Sequence, residues 1–243
     1  MDKILSRIYD VGAGDTDCFG HCRPGALQYF LQDAATRHAA ALSLSREELP
    51  GDYVWVITRI KFRLKNPIKY LTGVDVRTWH RGSSGIHFYR DFDILQDGLS
   101  VGSGVSAWVV LDIGSGKILR PSQINDKGSA YIPPGSIPEN LPRLPRPEGL
   151  VPAGSHTVGY TDLDINGHMN NVRYCDIACD ALELQNHERC FVRSVWIQFV
   201  EQTMSGQTIF LFTARTAEGG YFVTGRDEAG KTKFDALLEV DFN

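Results

Sequence analysis

The chain is poor in cysteine, with five among 243 residues. Small secreted domains held by disulfides have a far higher density, so a disulfide scaffold is excluded. Four of the cysteines form two C-x3-C pairs, Cys18 with Cys22 and Cys175 with Cys179, and these do not make a zinc-ribbon pattern. We expect the second pair to pack in the core, and the sequence gives no reason to expect a metal or a cofactor.

Two further absences concern membranes and nucleic acids. No apolar run approaches the roughly 18 residues needed to span a bilayer, and the N-terminus lacks the apolar core of a signal peptide. The net charge of −4 and the pI near 6.0 argue against a general binder of nucleic acid or of anionic membranes. With 42% hydrophobic and 22% charged residues, the composition is that of a globular protein. We therefore expect a cytoplasmic location.

The chain does contain one unusually polar turn, at residues 160–174. Asp164, Asn166 and His168 fall at alternate positions, a spacing that aims their side chains the same way. The two asparagines that follow are natural caps for a helix. Backbone N–H groups at a helix start can hold a developing negative charge. A titratable imidazole, a carboxamide and such donors together indicate acyl-group chemistry.

Hydrophobic periodicity divides the chain into a pattern that occurs twice, of one helix followed by about four strands. The first half has a strand at 4–11, a helix at 24–43 and strands at about 53–65, 73–81, 86–96 and 99–112. The second half has a strand near 155–161, a helix near 171–185 and strands at about 190–203, 206–215, 219–227 and 231–241. Many prolines fall between the halves, which excludes regular structure there. We predict a first domain at 1–119, a Pro-rich linker at 120–150 and a second domain at 151–243.

The polar turn is itself repeated. Asp17 and Asp164, like His21 and His168, are 147 residues apart, and each copy precedes a predicted helix. Phe19 replaces Asn166 in the first copy, so the polar set is complete in the second copy alone. An internal repeat of this size predicts two similar α+β subdomains, each with a helix packed on an antiparallel sheet. We expect the second to carry catalysis and the first to supply binding surface.

The sequence resembles the acyl-acyl carrier protein (acyl-ACP) thioesterase family, the plant and bacterial enzymes that end fatty-acid synthesis. The most specific match is the segment 162–174. Similar segments in the first half lie at 55–59, 77–79, 90–92 and 106–109. The resemblance implies two tandem hotdog folds, each a long helix wrapped by an antiparallel sheet. It also implies hydrolysis of fatty acyl-ACP to a free fatty acid, with acyl carrier protein as the partner.

The resemblance further implies a catalytic set, which carries over to Asp164, Asn166 and His168. The family adds an acidic residue on the next long strand. Glu201 is the acid available there, but counting from Phe199 places Gln202 at the family's position, so sequence alone leaves both open. In some descriptions of the family a cysteine follows this acidic residue, but no cysteine lies on that strand here. This departure favours attack by water over a cysteine nucleophile.

Four cations alternate with apolar residues in the first predicted strand after the helix, namely Arg59, Lys61, Arg63 and Lys65. A period of two places them on one face of a strand. Acyl carrier proteins are acidic, so this stripe is a candidate docking surface. A solvated sheet face is the alternative.

Three other functions remain open from sequence. The same fold could hydrolyse acyl-CoA, act as a hotdog dehydratase, or bind an acyl ligand without turnover. Asn166 and the duplication favour the thioesterase over the dehydratase, and no basic helical module indicates a DNA-binding sensor. The acyl chain length and the formation of a homodimer also stay open.

Overall fold

The computed structural model describes residues 3–42, 44, 51–124, 130–133, 139 and 141–242. Within these ranges the chain forms two α-helices and eleven β-strands, with short 3-10 turns between them. The helices are α1 (Pro24–Ala41) and α2 (Asn171–Asp180). In chain order the strands are β1 (Leu5–Asp10), β2 (Tyr53–Leu64), β3 (Gly73–Ser84), β4 (His87–Gln96), β5 (Leu99–Asp112), β6 (Ile118–Leu119), β7 (Val151–Thr157), β8 (Cys190–Phe199), β9 (Thr208–Arg215), β10 (Tyr221–Arg226) and β11 (Thr232–Phe242). None of the helices in the described ranges is both long and apolar enough to cross a bilayer.

The chain divides into two compact units that do not follow chain order. The first unit contains Met1–Asp10, Phe30–Phe62 and Gly73–Leu141, and the second contains Val11–Tyr29, Arg63–Thr72 and Pro142–Asn243. Two segments of the first half thus belong to the second unit, where Arg23 Nη1 lies 2.6 Å from Asp176 Oδ1. The predicted boundaries at 119, 120–150 and 151 have no counterpart in this division and stay a prediction.

In the first unit the strands form a sheet in the order β1-β3-β4-β5-β2, with β6 paired to β5. The pairs among β1, β3, β4 and β5 are antiparallel. Residues of α1 pack on this sheet at two points. The ring of Phe30 stacks on Tyr9 with centroids 4.6 Å apart, and Nδ1 of the buried His38 lies 2.7 Å from Nη1 of Arg90.

In the second unit the sheet is antiparallel in the order β8-β11-β10-β9-β7. The helix α2 packs on it through Tyr174, whose ring lies edge-on to Phe199 at 5.7 Å and to Phe234 at 5.4 Å. A β-carbon at Gly225 would collide with Phe234 and Ile209, so β10 needs glycine at this point of close packing. The two positions that carry the site, the start of α2 and the end of β8, are fixed by this core.

The predicted α+β class and the recurrence of one helix with consecutive antiparallel strands are confirmed. Three predicted boundaries in the second half are wrong. The strand predicted to 203 ends at Phe199, because Val200 N and Glu201 N both donate to Lys233 O, at 2.9 and 3.1 Å, and the ladder stops there. The helix predicted to 185 ends at Asp180, and Glu183 takes up a left-handed conformation with φ of 50°. The strand predicted at 155–161 is β7, Val151–Thr157, and residues 160–162 form a 3-10 turn.

The predicted linker contains one 3-10 turn, Pro121–Gln123, within its described residues. Its prolines at 134 and 138 lie outside the described residues, as does residue 43 at the predicted end of the first helix. Glu139 and Leu141 are bonded to the sheet of the first unit. There Arg59 Nη1 donates to Leu141 O at 2.6 Å, and Arg81 Nη1 donates to Glu139 O at 3.0 Å.

Candidate active site

The second copy of the polar turn brings Asp164, Asn166 and His168 together, as the sequence predicts. The backbone N–H of Asn166 donates to Asp164 Oδ1 at 2.8 Å, and Asn166 Nδ2 lies 3.4 Å from Asp164 Oδ2. His168 Nδ1 lies 3.6 Å from the same Oδ2. Gly167 has φ of 78°, a conformation that favours glycine and turns the chain between Asn166 and His168. One carboxylate therefore fixes the turn and lies beside the imidazole, whose Nδ1 is also 3.4 Å from Met169 O.

The turn is fixed at both sides by backbone hydrogen bonds. Met169 N donates to Thr203 O at 2.8 Å, and His168 pairs with Met204 in an isolated antiparallel bridge. Asn170 N donates to Asp162 O at 2.8 Å. The turn is thus joined to the 3-10 turn before it and to the connection between β8 and β9.

Asn170 caps α2. Its side-chain oxygen accepts from Val172 N at 3.2 Å, and its carbonyl accepts from Arg173 N at 2.9 Å. These two N–H groups are occupied and cannot bind another oxygen at the same time. In the first turn of α2, Asn171 N has no hydrogen bond among the described contacts. The sequence predicted several backbone donors at the helix start, and one is available.

Asp162 forms a buried ionic cluster under the turn, which the sequence did not predict. Its carboxylate is bonded to His156 Nε2 at 2.8 Å, Arg173 Nε at 2.9 Å and Gly159 N at 2.9 Å. Burial acts to raise the pKa of Asp162, but the hydrogen bonds from Gly159, Arg173 and His156 outweigh it and lower the pKa. Arg173 also donates to Asp176 at 2.8 Å. Their i, i+3 spacing on a predicted helix is the feature of the sequence that could have indicated this part of the cluster.

Glu201 and Gln202 lie after the end of β8, in the connection that reaches the turn through Thr203. Glu201 is bonded by two lysines, Lys231 at 2.5 Å and Lys233 at 2.6 Å. Hydrogen bonds from Lys231 and Lys233 lower the pKa of the Glu201 carboxyl. Gln202 is exposed. No hydrogen bond among the described residues joins either side chain to His168, so the structure brings neither onto the imidazole.

The predicted cation stripe is not one solvated face. In the first unit, Arg59 is only 9% exposed, and its Nη2 lies 3.0 Å from His87 Nε2. Lys61 is paired with Glu139. Both cations are therefore bonded within the unit.

The other two cations of the stripe belong to the second unit. Arg63 Nη2 lies 3.5 Å from Glu239 Oε2. Lys65 is exposed and follows the last residue of β2. The alternation of cationic and apolar residues in the sequence could not show that the four cations have different surroundings. Their role in carrier docking stays a prediction.

The first copy of the turn has the same backbone. Asp17 Oδ1 accepts from Phe19 N at 2.9 Å, where Asp164 accepts from Asn166. Asp17 N donates to His21 O at 2.8 Å, matching Asp164 N to His168 O at 2.9 Å. The predicted repeat is thus present in the structure, and the two copies differ in side chains.

Family models identify both halves of the chain. Residues 2–127 match the acyl-ACP thioesterase N-terminal domain, and residues 153–240 match the acyl-ACP thioesterase C-terminal domain. The chain belongs to the acyl-ACP thioesterase family. The motif that carried the resemblance, at residues 162–174, lies within the second match.

Plant proteins are among the relatives of this family member. Oleoyl-acyl carrier protein thioesterase 2, chloroplastic, from Arabidopsis thaliana is 25% identical over 195 residues, which cover 71% of this chain and 51% of the relative. Palmitoyl-acyl carrier protein thioesterase, chloroplastic, from Cuphea hookeriana is 24% identical over 256 residues, covering 91% and 60%. The chain therefore spans about half to two thirds of the length of these relatives. The cytoplasmic location predicted from the sequence stays a prediction.

Solved structures of acyl-ACP thioesterases show the fold. One from Bacteroides thetaiotaomicron superposes with a TM-score of 0.83 at 21% identity and covers 98% of both chains. The 12:0-ACP thioesterase from Umbellularia californica gives 0.80 at 17% identity, covering 99% of this chain and 98% of the other. The predicted pair of tandem hotdog folds is confirmed.

Proposed function

We propose that the chain hydrolyses the thioester of fatty acyl-ACP and releases a free fatty acid. The observation that carries the proposal is the joining of Asp164, Asn166 and His168 by one carboxylate, inside a family match that covers both halves. The names of the relatives support acyl carrier protein as the group to which the acyl chain is attached. Catalysis requires no cofactor in this account.

Water attacks the thioester carbon in the proposed reaction. His168 accepts a proton from this water, and Asp164 Oδ2, 3.6 Å from Nδ1, stabilises the imidazolium that forms. The tetrahedral intermediate then collapses, the C–S bond breaks, and the proton passes from the imidazolium to the departing sulfur. The products are the fatty acid and the thiol of the carrier arm.

Two further groups have roles in this step. Asn166 Nδ2, held 3.4 Å from Asp164, can hold the attacking water or the imidazole in place. The N–H of Asn171 at the start of α2 is the backbone donor for the oxygen that becomes negative in the transition state. Gln202 or Glu201 would bind the water from the neighbouring connection.

A cysteine nucleophile finds little support in the structure. Cys190 is buried at the start of β8, and burial raises the pKa of its thiol to about 11. Burial also raises the pKa of Cys175 well above its ordinary value. Because the thiolate is the attacking form, neither thiol is suited to nucleophilic attack at neutral pH.

Docking of an acidic carrier protein on the stripe from Arg59 to Lys65 belongs to this proposal. Replacing Lys61 and Arg63 by Met should raise KM for the carrier-bound substrate at low salt, and high salt should remove the difference. An unchanged KM at low salt would exclude docking at this stripe.

The test compares two substrates with the same acyl chain, one on acyl carrier protein and one on coenzyme A, across a series of chain lengths. We expect the carrier-bound series to give a kcat/KM at least about tenfold higher, a difference of about 1.4 kcal/mol. A preference for the CoA series would overturn the choice of carrier. Binding of acyl-ACP without release of thiol or fatty acid would overturn hydrolysis itself.

A further inference from the structure

The first copy of the turn lies beside a cavity of about 520 Å³, whose lining residues all belong to the second unit. Phe19 and His21 of the turn line it, together with three cationic side chains, those of Lys65, Lys69 and Arg189. Its volume lies within the range of about 300–1,000 Å³ that is usual for small-molecule sites. The cavity is at the copy that lacks the catalytic carboxamide.

The backbone around this cavity repeats the backbone around His168. His21 pairs with Lys69 in an isolated antiparallel bridge, as His168 pairs with Met204. Cys22 N donates to Ile68 O at 2.7 Å, the bond that Met169 N makes to Thr203 O at 2.8 Å in the other copy. The residue after β2 therefore corresponds to the one after β8.

This correspondence shows what replaced the catalytic surroundings. Lys65 occupies the position of Val200, and Lys69 that of Met204. Two apolar side chains in the catalytic copy are thus cations in the other. The first copy thus shares the histidine with the second copy, but it has Phe19 in place of the carboxamide and two cations beside the turn.

The charges around the cavity favour an anion. Two acids line the cavity, Glu188 and Asp241. Asp241 lies 3.8 Å from Nε of Arg193, a cation that is not among the lining residues. Among the described residues, no ion pair is formed by Lys69 or Arg189. His21 Nδ1 is buried without a hydrogen bond, 3.9 Å from Asp17. Ammonium groups and a guanidinium are the side-chain donors that commonly bind phosphate in proteins.

We propose that this cavity binds a phosphate group through Lys65, Lys69 and Arg189. Three sources carry that chemistry, namely the phosphopantetheine arm of a carrier protein, coenzyme A and inorganic phosphate. The site is separate from the His168 turn, and phosphate binding does not depend on the proposed hydrolysis.

Isothermal titration calorimetry on the full chain tests the proposal with phosphopantetheine, coenzyme A, inorganic phosphate and pantetheine, which has no phosphate. We expect the two phosphorylated pantetheine compounds to bind at least about tenfold more tightly than pantetheine, because hydrogen bonds to a charged group are stronger than those between neutral groups. If inorganic phosphate binds as tightly as phosphopantetheine and coenzyme A, the phosphate group alone is recognised. Tighter binding of either pantetheine ester would show that the arm contributes.

Variants separate this cavity from the His168 turn. Lys69→Met and Lys65→Val introduce the side chains of the other copy, and each should weaken phosphopantetheine binding about tenfold while pantetheine binding stays the same. Lys117→Met, an exposed lysine that does not line the cavity, is the control. The same titrations in His168→Ala should give unchanged phosphopantetheine binding, which would show that this site does not depend on the proposed catalytic histidine. Equal binding of phosphopantetheine and pantetheine, or unchanged affinity in both folded lysine variants, would overturn the proposal.

Discussion

Oδ2 of Asp164 lies 3.6 Å from Nδ1 of His168. The other carboxylate oxygen accepts the backbone N–H of Asn166 at 2.8 Å. In the first copy, Asp17 lies 3.9 Å from His21 and fixes the turn in the same way. The Asp–His arrangement is therefore common to both copies, and Asn166 with its surroundings distinguishes the second copy, for which we propose catalysis.

Asp164→Asn should lower kcat at least about 100-fold, because the neutral amide no longer stabilises a cationic His168. The turn should persist, since an amide oxygen can still accept from Asn166 N. Asp17→Asn is the matched variant, with the same backbone bond in the first copy. Thermal unfolding should show a similar loss of stability in both, and steady-state hydrolysis should show a far larger loss in Asp164→Asn. Equal activity in the two variants would contradict the role of Asp164.

Glu201→Gln and Gln202→Ala separate the two candidates for the water-binding residue. Two lysines already bond the Glu201 carboxylate, and a carboxylate with a lowered pKa is a poor base. We expect Gln202→Ala to reduce kcat about tenfold, the cost of one hydrogen bond, with little change in stability. Glu201→Gln should mainly lower the unfolding temperature. The reverse pattern in kinetics and melting would assign the water to Glu201.

Asp162 should make stability depend on pH. Its folded-state pKa is lowered, so its contribution is complete above the ordinary value of 3.8 and is lost as the pH falls through the lowered pKa. Asp162→Asn should cost about 2 kcal/mol of unfolding free energy at neutral pH and flatten the loss on acidification. Asp15→Asn should cost less, because its amide oxygen can still accept the N–H of Gly12, 3.0 Å away, and no ion pair among the described residues is removed. Denaturant unfolding across pH measures both, and a parallel acid profile for wild type and Asp162→Asn would contradict the assignment.

Alkylation should modify the exposed Cys18 first and leave hydrolysis intact. Burial raises the pKa of Cys22 to about 12 and that of Cys190 to about 11, so their thiolate fractions at neutral pH are very small. Mass spectrometry of the alkylated protein identifies the modified sites, and the same sample is assayed. Activity lost in proportion to modification of a buried thiol would support a cysteine nucleophile and contradict attack by water.

The sequence predicted the strands and both copies of the turn because alternation of side chains and turn residues are local properties. It did not predict the end of β8, because the alternation of side chains continues through Val200. The strand ends where Val200 N and Glu201 N both donate to Lys233 O, a contact between distant parts of the chain. It placed Arg59 with three other cations, although Arg59 is buried against Leu141 O. It also could not find Lys233 as a partner of Glu201, because their contact joins residues 32 apart in the chain.

Hydrolysis of acyl-ACP by His168→Ala tests the central claim most directly. The His168 side chain is 25% exposed, so the variant should fold and melt close to wild type. His187→Ala removes an imidazole that lies outside the turn, tilted at 50° to the ring of Phe242, and is the control. We expect His168→Ala to lose about 100- to 10,000-fold in kcat/KM, the range for a general base, while His187→Ala retains activity. Near-normal release of fatty acid by folded His168→Ala would contradict the account.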